Sequence, residues 1–209
     1  MQIGIFNYAT VFFNQLSSDV DIQKQQLPFI IESYQKALTI DPNDKGTLTN
    51  IGVCYFKIKD YRASINYTKQ ALSLAKNDYS LQSNLADAYF RNNDFDQAIS
   101  IYKTLIKNNF KQENTFNYYG TALFNKKEYS EAIKIFKEGI KQNSNSHELW
   151  LNYGNSLAIT GNLSEASFAF EKAHKLNPSD KNTLKFLTMI YQQLGNIQKA
   201  NFYYAEFTK

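Results

Sequence analysis

The sequence predicts an all-α solenoid built from antiparallel helix pairs. Three observations carry this: a 34-residue periodicity that runs without a gap, apolar and small residues spaced three and four apart within each period, and a shortage of breakers. Three prolines and eight glycines are too few for the closely spaced turns of a sandwich or barrel. Hydrophobic residues make up 43% of the chain and charged residues 20%, enough apolar material for a continuous core.

The period is read by aligning the chain with itself. NIGVCYF at 50–56 lies over NLADAYF at 84–90, YYGTALF at 118–124, NYGNSLA at 152–158 and FLTMIYQ at 186–192. Gly52, Ala86, Gly120, Gly154 and Thr188 thus form a ladder of small residues. A second ladder, Tyr61, Phe95, Tyr129, Leu163 and Ile197, is followed three residues later by Ser64, Ala98, Ala132, Ala166 and Ala200. Four residues beyond those stand Thr68, Tyr102, Phe136, Phe170 and Tyr204.

Each period holds two amphipathic helices. Leu48, Ile51, Gly52 and Tyr55 mark the first helix of one unit, and Tyr61, Ile65, Ala71 and Leu72 mark the second. Short polar stretches separate them: Lys59-Asp60, Asn92-Asn93-Asp94, Lys126-Lys127-Glu128 and Gly161-Asn162. Such stretches suit the turn of an antiparallel pair. A small residue on each helix lets the two backbones approach closely.

A 34-residue helix-turn-helix unit with these residues resembles the tetratricopeptide repeat. The best match, 147–180, carries Trp150, Tyr153, Gly154, Leu157, Gly161, Ala166, Phe170, Ala173 and Pro178 at the characteristic positions. Departures are Gln82 for the large opening residue, Gly139 for the small alanine, and Lys76, Phe110 and Ser144 for the closing proline. The resemblance implies a right-handed superhelical array. The repeats are expected at 45–78, 79–112, 113–146 and 147–180, with a truncated one at 181–209. Residues 3–44 read as an expanded, divergent first repeat. Its second helix falls in 28–44 with Pro28 in the first turn, where the missing N–H costs little. Its first helix is expected around Ala9, between Phe6 and Phe12, with a polar loop at Ser17-Ser18-Asp19-Val20-Asp21.

Stacked repeats leave an extended concave surface, and the resemblance implies that first helices line it. The positions two before the small ladder are Asn50, Asn84, Tyr118, Asn152 and Phe186. An asparagine amide offers a donor and an acceptor together, matching both groups of a peptide backbone. A chain rich in asparagine also places some there by composition. Phe56, Phe90 and Phe124 recur four residues after the ladder, either as an apolar floor for a peptide or as core. Lys57 and Arg91 follow them and give the early part of the surface a basic rim, which suits an acidic segment. Asn125, Ile159 and Gln193 stand at the later equivalents. Thr49 and Val53 stand where chaperone-tail clamps of the family need a lysine and an asparagine, and Ser80 and Asn114 offer no lysine later, so that activity is not expected.

The expected function is therefore a non-catalytic adaptor binding an extended peptide of a partner protein. A structural or self-associating fragment of a longer protein is the alternative, and an RNA-binding helical repeat a weaker one. The formal charge of +4 is spread without a basic run, which argues against nucleic acid. His147 and His174 have no ligand spacing, no phosphate-cradling glycine motif is present, and neither a metal nor a cofactor is expected. One cysteine, Cys54, makes no internal disulfide, so a reducing, cytoplasmic setting is expected. No basic-then-apolar leader is visible, and no apolar run reaches the roughly 18 residues of a membrane span. At the C-terminus Phe202, Tyr203 and Phe207 cannot all face inward on one helix. Aromatic surface is expected to remain there for a second copy, a partner, or a continuing chain.

Overall fold

The computed structural model describes residue 10, residues 20–110 and residues 113–208. The helix expected around Ala9 lies outside them. Among the described residues there are eleven helices and no strand: α1 Val20–Leu38, α2 Lys45–Lys57, α3 Tyr61–Leu74, α4 Tyr79–Arg91, α5 Phe95–Lys107, α6 Glu113–Asn125, α7 Tyr129–Gln142, α8 His147–Ile159, α9 Leu163–Leu176, α10 Lys181–Gln193 and α11 Ile197–Phe207. From Lys45 on, both the first helices and the second helices begin at 34-residue intervals. The chain divides into two compact units, Met1–Leu105 and Ile106–Lys209.

The turns inside the pairs share one backbone solution. Lys59, Asn93, Lys127, Gly161 and Gly195, again 34 apart, all have φ between 64° and 80°. Glycine adopts this left-handed conformation freely, asparagine tolerates it, and lysine does not favour it. Helix starts are capped by side chains. Asp44, Asp60, Asp78, Ser146, Asp180 and Asn196 each accept from the backbone N–H three residues on, satisfying a donor that the helix leaves unpaired.

In the first unit, α1 packs on α2, α2 on α3, and α3 on α4. Leu27, Ile30, Ile31 and Tyr34 of α1 bury against Ile51 and Cys54 of α2. The stripe therefore begins before Pro28, and this corrects the expected helix start: α1 begins at Val20 and encloses the proline. Residues Val20 and Asp21, expected in a loop, are helical. The apolar spacing Leu27, Ile30, Ile31, Tyr34 continues through the proline, and burial of those side chains outweighs one missing backbone hydrogen bond. Each large side chain fully buried contributes about 1.5–3 kcal/mol. Burial pushes the Cys54 thiol up to about 12, leaving it an inert part of this core.

In the second unit the pairs α6/α7, α8/α9 and α10/α11 pack internally, α7 lies on α8, and α9 on α10. Glycines set the approach within pairs. A Cβ on Gly120 would stand 2.5 Å from the Phe136 ring, and one on Gly154 2.7 Å from the Phe170 ring. Gly139, where the family has alanine, lies against Phe116 and Leu149, and a Cβ there would come within 2.7 Å of the Phe116 Cβ. No helix among the described residues is long and apolar enough to cross a membrane.

Candidate interaction site on the first helices

The three ladder asparagines are half-buried but differ in their partners. Asn50 donates its amide to the Tyr34 hydroxyl at 3.0 Å, tying α2 to α1. Asn152 donates to the Asn117 carbonyl oxygen at 2.7 Å, tying α8 to α6. Asn84 makes no hydrogen bond within the described residues and lines a cavity in the first unit. Tyr118 is half-buried, and Phe186 stacks flat on Phe170 with centroids 5.3 Å apart.

The recurrent phenylalanines reach across the turn of their own pair. Phe56 meets Tyr61 at 5.5 Å, Phe90 meets Phe95 at 5.9 Å and Phe124 meets Tyr129 at 5.2 Å, each between the last turn of one helix and the first residue of the next. The rings are half-buried, so they brace the hairpin and still present an edge. Lys57 and Arg91 are exposed, with the Arg91 guanidinium 5.9 Å from the Phe90 ring.

Two concavities open at these positions, one in each unit. The first, about 80 Å³, is lined by Gly52, Val53 and Phe56 of α2, Ser64 and Thr68 of α3, and Asn84 and Asp87 of α4. The second, about 480 Å³, is lined by Phe124 of α6, Asn155 and Ile159 of α8, Phe186, Met189 and Gln193 of α10, and their neighbours. These six sit on first helices, at positions close to the small ladder, and Phe170 of the second helix α9 completes the wall. Ile159 and Met189 are half exposed and line the same concavity, so they leave a joint apolar surface open to solvent.

Asp87 was not singled out by sequence pattern. It accepts a 2.6 Å hydrogen bond from the Tyr102 hydroxyl, and burial pushes its carboxyl up to about 6 against the opposing pull of that bond and of Arg91. The signal that could have located it is Thr68, the one non-aromatic residue in the ladder Thr68, Tyr102, Phe136, Phe170, Tyr204.

The two histidines are placed separately. His147 Nε2 lies 3.1 Å from the Thr183 hydroxyl and 3.5 Å from the capping Asp180. The Lys45–Asp78 ion pair, at 3.3 Å, occupies the same place in the lattice three repeats earlier. His174 meets the Tyr203 ring edge-on. At the C-terminus Phe202 is exposed, Phe207 half-buried and Tyr203 buried, stacked on Tyr191 at 5.8 Å. Glu171 gathers this end: Lys199 donates to it at 2.7 Å and Tyr191 at 2.6 Å. Burial raises the Glu171 carboxyl, but the hydrogen bonds from Lys199 and Tyr191 outweigh it and hold the group below its ordinary value.

Comparison with known proteins follows this geometry. Residues 59–114 and 147–180 each match the sequence profile of the tetratricopeptide repeat. No curated protein sequence matches the chain. Solved structures share the fold. YrrB, described as a TPR protein with an unusual peptide-binding site, is 18% identical and superposes with a TM-score of 0.70 over 85% of this chain and 91% of its own. MamA from Desulfovibrio magneticus RS-1 is 16% identical, with a TM-score of 0.74 over 79% of this chain and 94% of its own. Matched repeats, an ungapped 34-residue phase and an all-α fold of antiparallel helix pairs together make the chain a tetratricopeptide-repeat protein.

Proposed function

We propose that the chain is a non-catalytic protein-interaction scaffold that holds an extended segment of a partner against its first helices. The observation that carries this reading is the 480 Å³ concavity, whose apolar wall comes from three successive first helices, with the Phe170 ring of α9 behind them, rather than from one accidental fold of a loop. Phe124, Ile159, Phe186 and Met189 would receive an apolar side chain, and the Asn155 and Gln193 amides would meet the segment's backbone. In the first unit Asn50, Asn84, Phe56 and Phe90 are the equivalent contacts, with Lys57 and Arg91 favouring acidic residues along the rim. Tyr118 and Asn152 serve the second unit. The test is selection of a displayed random-peptide library on the full chain, followed by affinities for Ile159→Glu/Met189→Glu. The variant is expected to bind selected peptides about tenfold or more weakly, since an ionised carboxylate in an apolar pocket loses over 1.4 kcal/mol. Unchanged affinity contradicts the reading.

A specific observation also favours self-association through α11. The ladder residues Thr68, Tyr102, Phe136 and Phe170 are 3%, 0%, 1% and 1% exposed, whereas Tyr204 is 56% exposed. Tyr204 and Phe202 would be the contact pair of this reading, with Phe207 at its edge; Tyr203 is taken up by the interior. Phe170 is covered by Phe186 of the following helix, and a second copy packing on α10 and α11 would supply such cover to Tyr204.

A further inference from the structure

We infer that the small cavity of the first unit is a recognition pocket for a lysine side chain of the bound segment. The inference rests on the reading that a partner segment lies on the first helices.

The pocket exists because the aromatic ladder lapses at Thr68. In the later repeats a ring covers the ladder glycine: Phe136 lies over Gly120 and Phe170 over Gly154. In 45–78 only the Thr68 hydroxyl stands over Gly52, 2.7 Å from where its Cβ would be. The space is walled instead by groups with distinct chemistry. Gly52, Val53 and Phe56 form an apolar side on α2, and Ser64, Thr68, Asn84 and Asp87 supply oxygens from α3 and α4.

That division matches an aliphatic stem ending in an ammonium. The stem lies along the apolar side, and the ammonium, with three donors and no acceptor, meets acceptors only: the Asp87 carboxylate, the Asn84 carbonyl oxygen and the two hydroxyls. Asp87 spends one oxygen on Tyr102. Asn84 has no partner of its own among the described residues, so engaging it costs no existing bond. No cation lines the pocket. The groups facing Asp87 are Tyr102 from α5 and Arg91 from its own helix, with no titratable side chain among the lining residues of α2 or α3. Arg91 is exposed and its charge is screened by water, whereas Asp87 is half-buried. A norleucine would fill the stem region and leave the carboxylate unmatched. An acidic side chain would place two carboxylates together and is rejected.

The Asp87 carboxyl, pushed up to about 6 by burial, gives the pocket a pH signature. Protonation removes the charge that an ammonium requires, so lysine binding weakens as pH falls through that value.

The test selects a random heptapeptide library on the full chain, on Asp87→Asn, and on Thr68→Phe, which refills the pocket with the ring found at Phe136 and Phe170 and leaves Asp87 in place. Thermal melts establish that the variants fold. Lysine is expected to be enriched at one position on the native chain and not on either variant. Affinity of a selected lysine peptide is expected to fall about three- to fourfold between about pH 7.5 and 5.5 on the native chain, as the ionised fraction of Asp87 falls, and less than about 1.5-fold on Asp87→Asn. Enrichment of acidic or aromatic residues at that position, or lysine enrichment that survives Thr68→Phe, overturns the pocket while leaving the first-helix reading intact. Failure to select any peptide overturns both.

Discussion

The Tyr102 hydroxyl donates a 2.6 Å hydrogen bond to Asp87, fifteen residues earlier on the preceding helix. The bond stabilises the carboxylate, yet burial dominates and the carboxyl stands at about 6, above its ordinary 3.8. The folded state therefore binds this proton more tightly than the unfolded state. Its stabilising contribution is complete below about pH 4 and lost as pH rises through about 6. Relative to Asp87→Asn, the native chain is expected to lose about 2–3 kcal/mol of stability across that window, read from urea unfolding at a series of pH values. A pH-independent difference between the two chains contradicts this.

Gly120 and Gly52 occupy the same ladder position but face different atoms. Gly120→Ala drives a methyl into the Phe136 ring, which is 1% exposed and hemmed in, and is expected to cost about 1–3 kcal/mol. Gly52→Ala meets the single Thr68 Oγ1 atom, which borders a cavity rather than being hemmed in like a ring, and is expected to cost less. Equal losses in denaturant titrations would show that the ring is free to move aside.

Lys127 holds φ at 64° in the α6–α7 turn, where the fourth and fifth turns have Gly161 and Gly195. Lys127→Gly removes strain of about 1–2 kcal/mol and returns part of it as unfolded-state entropy, so a net gain of about 0.5–1 kcal/mol is expected. The melting temperature of the variant checks it, and a fall would mean that the lysine side chain contributes packing.

Tyr204 is expected to make the chain associate with itself. Light scattering across a dilution series should show mass rising with concentration for the native chain, and a constant monomer for Phe202→Ser/Tyr204→Ser. A native monomer at every concentration removes support for this face as a contact between copies.

The fold was legible because the repeat is written in residues that packing needs. Gly154, Ala166 and Phe170 recur at fixed spacing since each helix pair must close on the same small contact. The start of α1 was not, because Pro28 reads as a first-turn residue, and only the burial of Leu27 beside Ile51 shows the helix running through it. The site was legible by position more than by role. Asn50 and Asn152 fall on the expected helices, but their amides are engaged by Tyr34 and Asn117, partners 16 and 35 residues away that no periodicity names. The lapse at Thr68 is plain in the sequence. What it opens onto depends on Asn84 and Asp87, brought there by the next repeat.

The central claim is that the first helices hold the partner segment. It is tested most directly by mapping amide chemical shifts as a library-selected peptide is titrated into the full chain. The account predicts saturable shifts at Asn84 and Phe56 in the first unit and at Asn155, Ile159 and Met189 in the second, with the second-helix residues Arg62, Lys69, Lys137 and Lys172 unmoved. Shifts concentrated on those second-helix residues, with the first helices silent, would contradict it.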